Sequence, residues 1–341
     1  MPHARTPSPL SRRGFLAAFG GIGAGALVTA CGGGSGAGAS ESGGSWAFTD
    51  DRGRKVTVRG RPRRVVAYVG TAAALRDFGV GDQLVGVFGP TKLKDGRPDP
   101  LAGSLDVNKV TILGNTFGEF NIEKYAALHP DLLVTNMYLP NALWYVPDNS
   151  KDKIAALAPS VAVTAAKVPL TEPIRRYEEL AGALGADLKA RQVTDAKARF
   201  EQASATLRAA AKANGGIKVL AASASPDLFY ASDPNANADL RYFRSLGVDL
   251  IAPDKVSAQG FFEELSWENA DKYPADVILL DARTSALQPK DLTAKPTWAK
   301  LPAVKAGQIT PWQSEPRFSH AGCAPLIESL AAAIQKAKKV R

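Results

Sequence analysis

Two glutamates and a scattered set of aromatic and arginine side chains are the residues of this 341-residue chain with chemistry to offer. Glu123 stands in Asn121-Ile122-Glu123-Lys124-Tyr125, and Glu268 in Leu265-Ser266-Trp267-Glu268. Each follows a helix-capping type, Asn121 or Ser266, so each carboxylate falls in a first turn, where the helix dipole favours negative charge. Tyr68, Phe88, Tyr138, Trp144, Tyr230 and Trp312 fall in or just beyond apolar runs that read as strands. Arg283 follows another such run, and Arg317 lies near the end of the chain. Aromatic faces cover apolar surface and guanidinium groups donate to oxygens. The set therefore suits a bulky, partly apolar guest with oxygen acceptors.

A covalent mechanism finds little support. There is no Gly-x-Ser-x-Gly elbow, and the adjacent Ser319-His320 pair has no recognisable third partner. This disfavours an exported hydrolase. The three histidines are His3, His129 and His320, too few to grip a bare zinc or manganese ion. Cys31 and Cys323 are the two cysteines. Cys323, in Ala321-Gly322-Cys323-Ala324-Pro325, reads as a small buried hydrophobe just before a helix over 325–336.

The elements that must position these residues form an α/β protein of two lobes, each a mostly parallel sheet with flanking helices. A hairpin around Asp51-Arg52-Gly53 opens the first lobe, 46–186, and short strands then alternate with short helices. Residues 187–213 contain neither Pro nor Gly, and Val193, Ala196, Phe200, Ala203, Leu207 and Ala210 recur three or four apart. This predicts one bridging helix over 187–214, roughly 40 Å long at about 1.5 Å per residue. The second lobe, 215–341, repeats the strand–helix alternation, with a helix over 266–272 carrying Glu268. A guest should sit between the lobes, outside the carboxyl ends of the strands.

The first 30 residues read as a leader. Ser11-Arg12-Arg13-Gly14-Phe15-Leu16 is a twin-arginine block, followed by an apolar Gly/Ala-rich run and Leu27-Val28-Thr29-Ala30-Cys31. The pattern looks like a twin-arginine export signal joined to a lipoprotein cleavage box. It makes Cys31 the lipid-bearing start of the mature chain, with a flexible Gly/Ser tether over 31–45. An uncleaved anchoring helix is disfavoured, because the run is short of the 20 or so apolar residues that a span needs. Arg5, Arg12 and Arg13 carry three of the nine net positive charges, which leaves +6 for the mature chain. No basic stripe is interleaved with aromatics, so nucleic acid is a poor partner.

From Arg61 to Leu330 the chain resembles the substrate-binding lipoproteins of ABC importers for iron-siderophores and vitamin B12, the single-helix-hinged class. Arg61-Pro62-Arg63-Arg64-Val65-Val66, Leu128-His129-Pro130-Asp131-Leu132-Leu133, Leu246-Gly247-Val248-Asp249 and Ala275-Asp276-Val277-Ile278 carry the likeness, together with the Glu123 and Glu268 segments. The resemblance implies a non-enzymatic monomer without a cofactor, exported and lipid-anchored at the outer face of the cytoplasmic membrane. It would hand a ferric siderophore, of hydroxamate type such as ferrioxamine, to an ABC permease and its ATPase. In the family, one glutamate on each lobe meets an arginine of the permease, and Glu123 and Glu268 match those places. The binding residues expected on this reading are Tyr68, Phe88, Tyr138, Trp144, Tyr230, Arg283, Trp312 and Arg317, with no protein ligand to the metal. Vitamin B12 and haem are the alternatives within the family, haem with a Tyr or His320 as axial ligand.

Overall fold

The computed structural model describes residues 44–341, so the leader, Cys31 and nearly all of the expected tether lie outside the described residues. β1 (Ser45–Thr49) and β2 (Lys55–Arg59) form the expected antiparallel hairpin. Trp46 Nε1 fastens it to the body of the protein by donating to the Ala183 carbonyl at 2.9 Å.

The first sheet is built from β3 (Val65–Tyr68), β4 (Leu84–Phe88), β5 (Thr111–Ile112), β6 (Leu132–Met137) and β7 (Ser160–Thr164). Their order is β5-β4-β3-β6-β7, and every pairing is parallel. Parallel strands are covered on both faces, which is why β3 and β6 are buried from end to end rather than alternating. α1 (Val69–Asp77), α2 (Ile122–Ala127), α3 (Lys151–Leu157) and α4 (Thr171–Ala183) supply the cover. Gly86 in β4 sets how closely α2 can approach. A Cβ there would stand 2.6 Å from Leu128 Cδ1, just past the end of α2.

α5 (Arg191–Ala213) follows, and the second sheet comes after it. Its strands are β8 (Lys218–Ala224), β9 (Leu228–Ser232), β10 (Asp249–Leu250), β11 (Phe262–Ser266), β12 (Val277–Asp281) and β13 (Ile309–Trp312). The order is β11-β9-β8-β12-β13, with β10 also on β8. β10, β8, β12 and β13 run parallel, whereas β8-β9-β11 is antiparallel. α6 (Ala238–Ser245), α7 (Pro289–Leu292), α8 (Pro296–Lys300), α9 (Pro302–Lys305) and α10 (His320–Lys336) complete the chain. α5 and α10 lie side by side, tied by the Arg199–Glu328 ion pair at 2.7 Å and by Asn214 Nδ2 donating to the Ile334 and Ala337 carbonyls. Apolar residues of α5 and α10 join those of both sheets in one continuous core.

Several elements differ from the sequence expectation. α5 begins at Arg191 rather than 187, because Asp187 spends its carboxylate on the Lys189 N–H in a preceding turn. The helix expected over 266–272 is a single 3-10 turn, Trp267–Asn269, and Ser266 Oγ accepts from Asn269 Nδ2 instead of capping a backbone N–H. α10 starts at His320, not Pro325. Its N-cap is Ser319, whose hydroxyl accepts from the Gly322 N–H at 2.9 Å, so Pro325 and the buried Cys323 lie inside the helix. The antiparallel pair β9 and β11 was not expected as strands at all. In β11 the inward face carries Glu263 beside Leu265, and the Lys272 ammonium neutralises that carboxylate at 2.6 Å, so the polar alternation is disguised.

Candidate functional site

A cleft of about 330 Å³ opens between the two sheets at the carboxyl ends of the parallel strands. The segment after β6 contributes Tyr138 and Trp144, β9 contributes Tyr230, and the ends of β12 and β13 contribute Asp281 and Trp312. Arg283 and Glu315 follow those two strand ends. Parallel strands present their last residues at one edge, so side chains distant in sequence converge here.

The walls are aromatic. Tyr138 and Trp144 meet edge to face with centroids 4.8 Å apart, and Tyr230 meets Phe262 in the same way at 4.9 Å. Phe117, 70% exposed, packs on Trp144 and Tyr145 at 5.8 and 5.2 Å and extends this apolar wall toward solvent. Tyr145 is held at φ 61°, a left-handed conformation uncommon for a bulky residue. Burial raises the Tyr138 hydroxyl well above its usual pKa, and the Glu315 charge adds to the effect. The group is therefore a neutral donor, and its oxygen has no partner among the described residues.

One cation and two anions form the floor. Arg283 donates from Nε and Nη2 to Asp281, at 2.7 Å for the latter, and from Nη1 to Glu315. Ser223 and Ser314 hydroxyls donate to Asp281 as well, at 2.8 and 3.1 Å. Glu315 Oε2 accepts from Tyr68 Oη at 2.8 Å and Trp144 Nε1 at 3.0 Å, both contributed by the first sheet and its loops. Burial opposes the Arg283 charge, but Glu315 and Asp281 outweigh it and push its pKa up. Glu264 adds a third, exposed carboxylate to the lining. Among the described residues, no group of three His, Cys, Asp or Glu side chains is placed to hold a metal ion.

Tyr138, Trp144, Tyr230, Arg283 and Trp312 thus reach the cleft, as the sequence led us to expect. Three expected residues do not line it. Tyr68 is 1% exposed and lies beneath, bonded to Glu315. Phe88 is fully buried against Phe120 and Tyr68, because the end of β4 is covered by the loops that follow it. Arg317 turns away toward Asp77 of α1, 3.5 Å from its carboxylate, and packs over Gly103. His320 is also outside the cleft, wedged between the Phe78 and Phe200 rings, and burial lowers its pKa. Asp281, Glu264 and Glu315 were missed. The signal for Asp281 was available, since an acid closing an otherwise apolar strand marks a functional strand end, but nothing local in Ser314-Glu315-Pro316 marks Glu315.

Glu123 and Glu268 are both exposed. Asn121 Oδ1 caps α2 by accepting from the Lys124 N–H at 2.8 Å, which places Glu123 in its first turn as expected. Glu268 sits in the 3-10 turn after β11. Its own backbone N–H, then Ser266, then Lys295 lower its pKa below the usual carboxylate range.

Residues 65–316 match the family described as periplasmic binding protein. The crystal structure of DesE, a ferric-siderophore receptor protein from Streptomyces coelicolor, shares 54% identity with a TM-score of 0.84, over 87% of this chain and 100% of that one. The petrobactin-binding protein YclQ from Bacillus subtilis shares 17% identity at a TM-score of 0.64, over 86% of this chain and 99% of its own. PiuA from Streptococcus pneumoniae, an iron uptake ABC transporter substrate-binding protein, shares 22% at 0.59, over 85% and 97%. These last two show the fold alone. No curated protein matches the chain.

Proposed function

The chain belongs to the periplasmic binding protein family, and from that premise we propose that it captures a ferric siderophore of hydroxamate type, such as a ferrioxamine, in the cleft between its sheets. The single observation that supports this most is the charge of the cleft. Among the described side chains that line it, one cation, Arg283, faces three carboxylates, Asp281, Glu315 and Glu264, and with Lys167 at the rim, on Gln259 and Phe261, the balance is still negative. A ferric tris-catecholate carries three net negative charges and would meet repulsion there. Three hydroxamates neutralise ferric iron, and a pendant ammonium makes the complex cationic, which suits the site. The aromatic walls would cover the organic backbone, while Arg283 and Tyr138 donate to the iron-ligating oxygens. The likeness to a ferric-siderophore receptor at 54% identity supports the same ligand class.

Iron is cargo on this reading and arrives inside its own chelator, and the protein performs no covalent step. The α5–α10 pair shares one core with both sheets, so lobe motion on binding is small. Delivery goes to an ABC permease and its ATPase, with Glu123 and Glu268 as the acidic contacts. The protein acts as a monomer, exported by the twin-arginine route and held by lipid on Cys31 at the outer face of the cytoplasmic membrane.

Tryptophan-fluorescence titration tests the ligand, because Trp144 and Trp312 line the cleft. Ferrioxamine should quench saturably, and a ferric catecholate, cobalamin and haem should not. Absence of any response to ferric hydroxamates, or tighter binding of one of the other three, overturns the reading.

A further inference from the structure

We propose that Glu315 determines which ligand charge the cleft accepts. The inference rests on the reading above, that a ferric chelate occupies this cleft. Asp281 alone neutralises Arg283. It is fully buried, bonded to the guanidinium through both oxygens, and held by Ser223 and Ser314. Glu315 is therefore the carboxylate that turns a neutral floor into an anionic one. It lies 6% exposed yet still lines the cleft, so its charge is felt by a guest with little screening by water.

Glu315 cannot swing aside to admit an anion. Its carboxylate is clamped from three directions, by Arg283 of the second sheet and by Tyr68 Oη and Trp144 Nε1 of the first. Turning it away would leave the buried Tyr68 hydroxyl and the half-buried Trp144 Nε1 unpaired, which is costly. Glu264, being exposed, can rotate into solvent and contributes less. The fixed charge thus belongs to Glu315, and it favours a chelate with a cationic tail over the same chelate with an anionic one.

The test uses three linear ferric trihydroxamates of one chain length, whose free end is an ammonium, an acetamide or a succinyl carboxylate. The iron core and the shape are shared, so their affinity order reads charge. Wild type should bind them in that order, ammonium tightest. Glu315→Gln keeps an oxygen acceptor for Tyr68 and Trp144 but removes the charge. It should shrink the ammonium-to-carboxylate ratio about a hundredfold, because one fixed charge about 12 Å from the tail at an effective dielectric near 20 changes affinity about tenfold per tail charge, and the two tails differ by two charges. Glu315→Asp, which keeps the charge, should restore the order. Arg283→Gln, which makes the cleft more anionic, should widen the ratio, and it stands as the second arm should Glu315→Gln fail to fold. A wild-type protein that binds all three equally, a Glu315→Gln ratio equal to wild type, or no widening in Arg283→Gln overturns the role of Glu315 while leaving the hydroxamate reading intact. A wild-type protein that binds none of them overturns both.

Discussion

Ser319→Ala should destabilise the protein by about 3 kcal/mol, because one buried hydroxyl closes two bonds at once. Ser319 Oγ accepts from the Gly322 N–H at 2.9 Å, which caps α10, and donates to Asp77 Oδ2 at 2.6 Å, which ties α10 to the end of α1. Loss of a serine cap costs about 1 kcal/mol. Loss of a hydrogen bond to a charged group costs roughly 1.5–3 kcal/mol. Ser319 is 1% exposed, so water does not replace the missing hydroxyl readily. After the substitution, Asp77 Oδ2 keeps only the Arg317 guanidinium, 3.5 Å away, and a small approach by Arg317 recovers part of the loss. The sum therefore falls near the middle of the range rather than at its top. Urea unfolding followed by circular dichroism measures it. Ser319→Thr, which retains the hydroxyl, should cost much less. In a double-mutant cycle, Asp77→Ala and Ser319→Ala should be coupled by roughly 1.5–3 kcal/mol, since the second change removes a partner already lost. A cost below about 1 kcal/mol, or a coupling near zero, refutes the claim that this hydroxyl joins α1 to α10.

Three further outcomes are expected. Asp239, fully buried and bonded to Trp312 Nε1 at 2.6 Å, has its pKa pushed up to about 6 by burial. A raised carboxyl pKa gives stability that is full below the unfolded value near 3.9 and lost as pH rises through about 6. Asp239→Asn should accordingly gain on wild type, by on the order of 3 kcal/mol, between pH 4 and 7, and should abolish a Trp312 fluorescence transition centred near pH 6; a wild-type emission flat across that window contradicts the assignment. Glu123→Ala combined with Glu268→Ala should abolish uptake of the labelled ferric chelate by whole cells while leaving fluorescence-measured affinity unchanged, and normal transport sinks the permease-contact proposal. Cys31→Ala should release from the membrane a protein that still binds its chelate but supports little uptake, checked by fractionation and transport; retention in the membrane fraction argues against lipid at Cys31.

Most of the fold was legible because its strands are parallel and doubly covered. A run such as Leu132-Leu133-Val134 needs no alternation to be recognised, and β6 is indeed buried along its length. β9 and β11 escaped for the opposite reason. They form an antiparallel edge whose buried positions include a neutralised glutamate, Glu263, so neither rule of pattern applies to them. The same distinction runs through the site. Tyr138, Trp144, Arg283 and Trp312 could be placed because each lies at or beyond the end of a readable parallel strand, and such ends converge, whereas Tyr230 sits within the antiparallel β9. Phe88 follows one equally well but is roofed by the loop chain that packs Phe120 on it, and loop paths leave little trace in sequence. Arg317 was drawn away by Asp77, a partner 240 residues earlier that nothing near Arg317 announces. Glu315 is the sharpest case. Its partners are Tyr68, Trp144 and Arg283, which come from three segments and both sheets. Counting charges along the chain gives a basic protein, and only the folded arrangement makes the cleft of that basic protein acidic. Net charge governs how the molecule behaves at long range, whereas the few groups buried around the guest decide which guest it holds. A positive exterior around a negative cleft is therefore no contradiction, because exposed charges more than about 8 Å from the guest are screened at physiological salt and Glu315 is not.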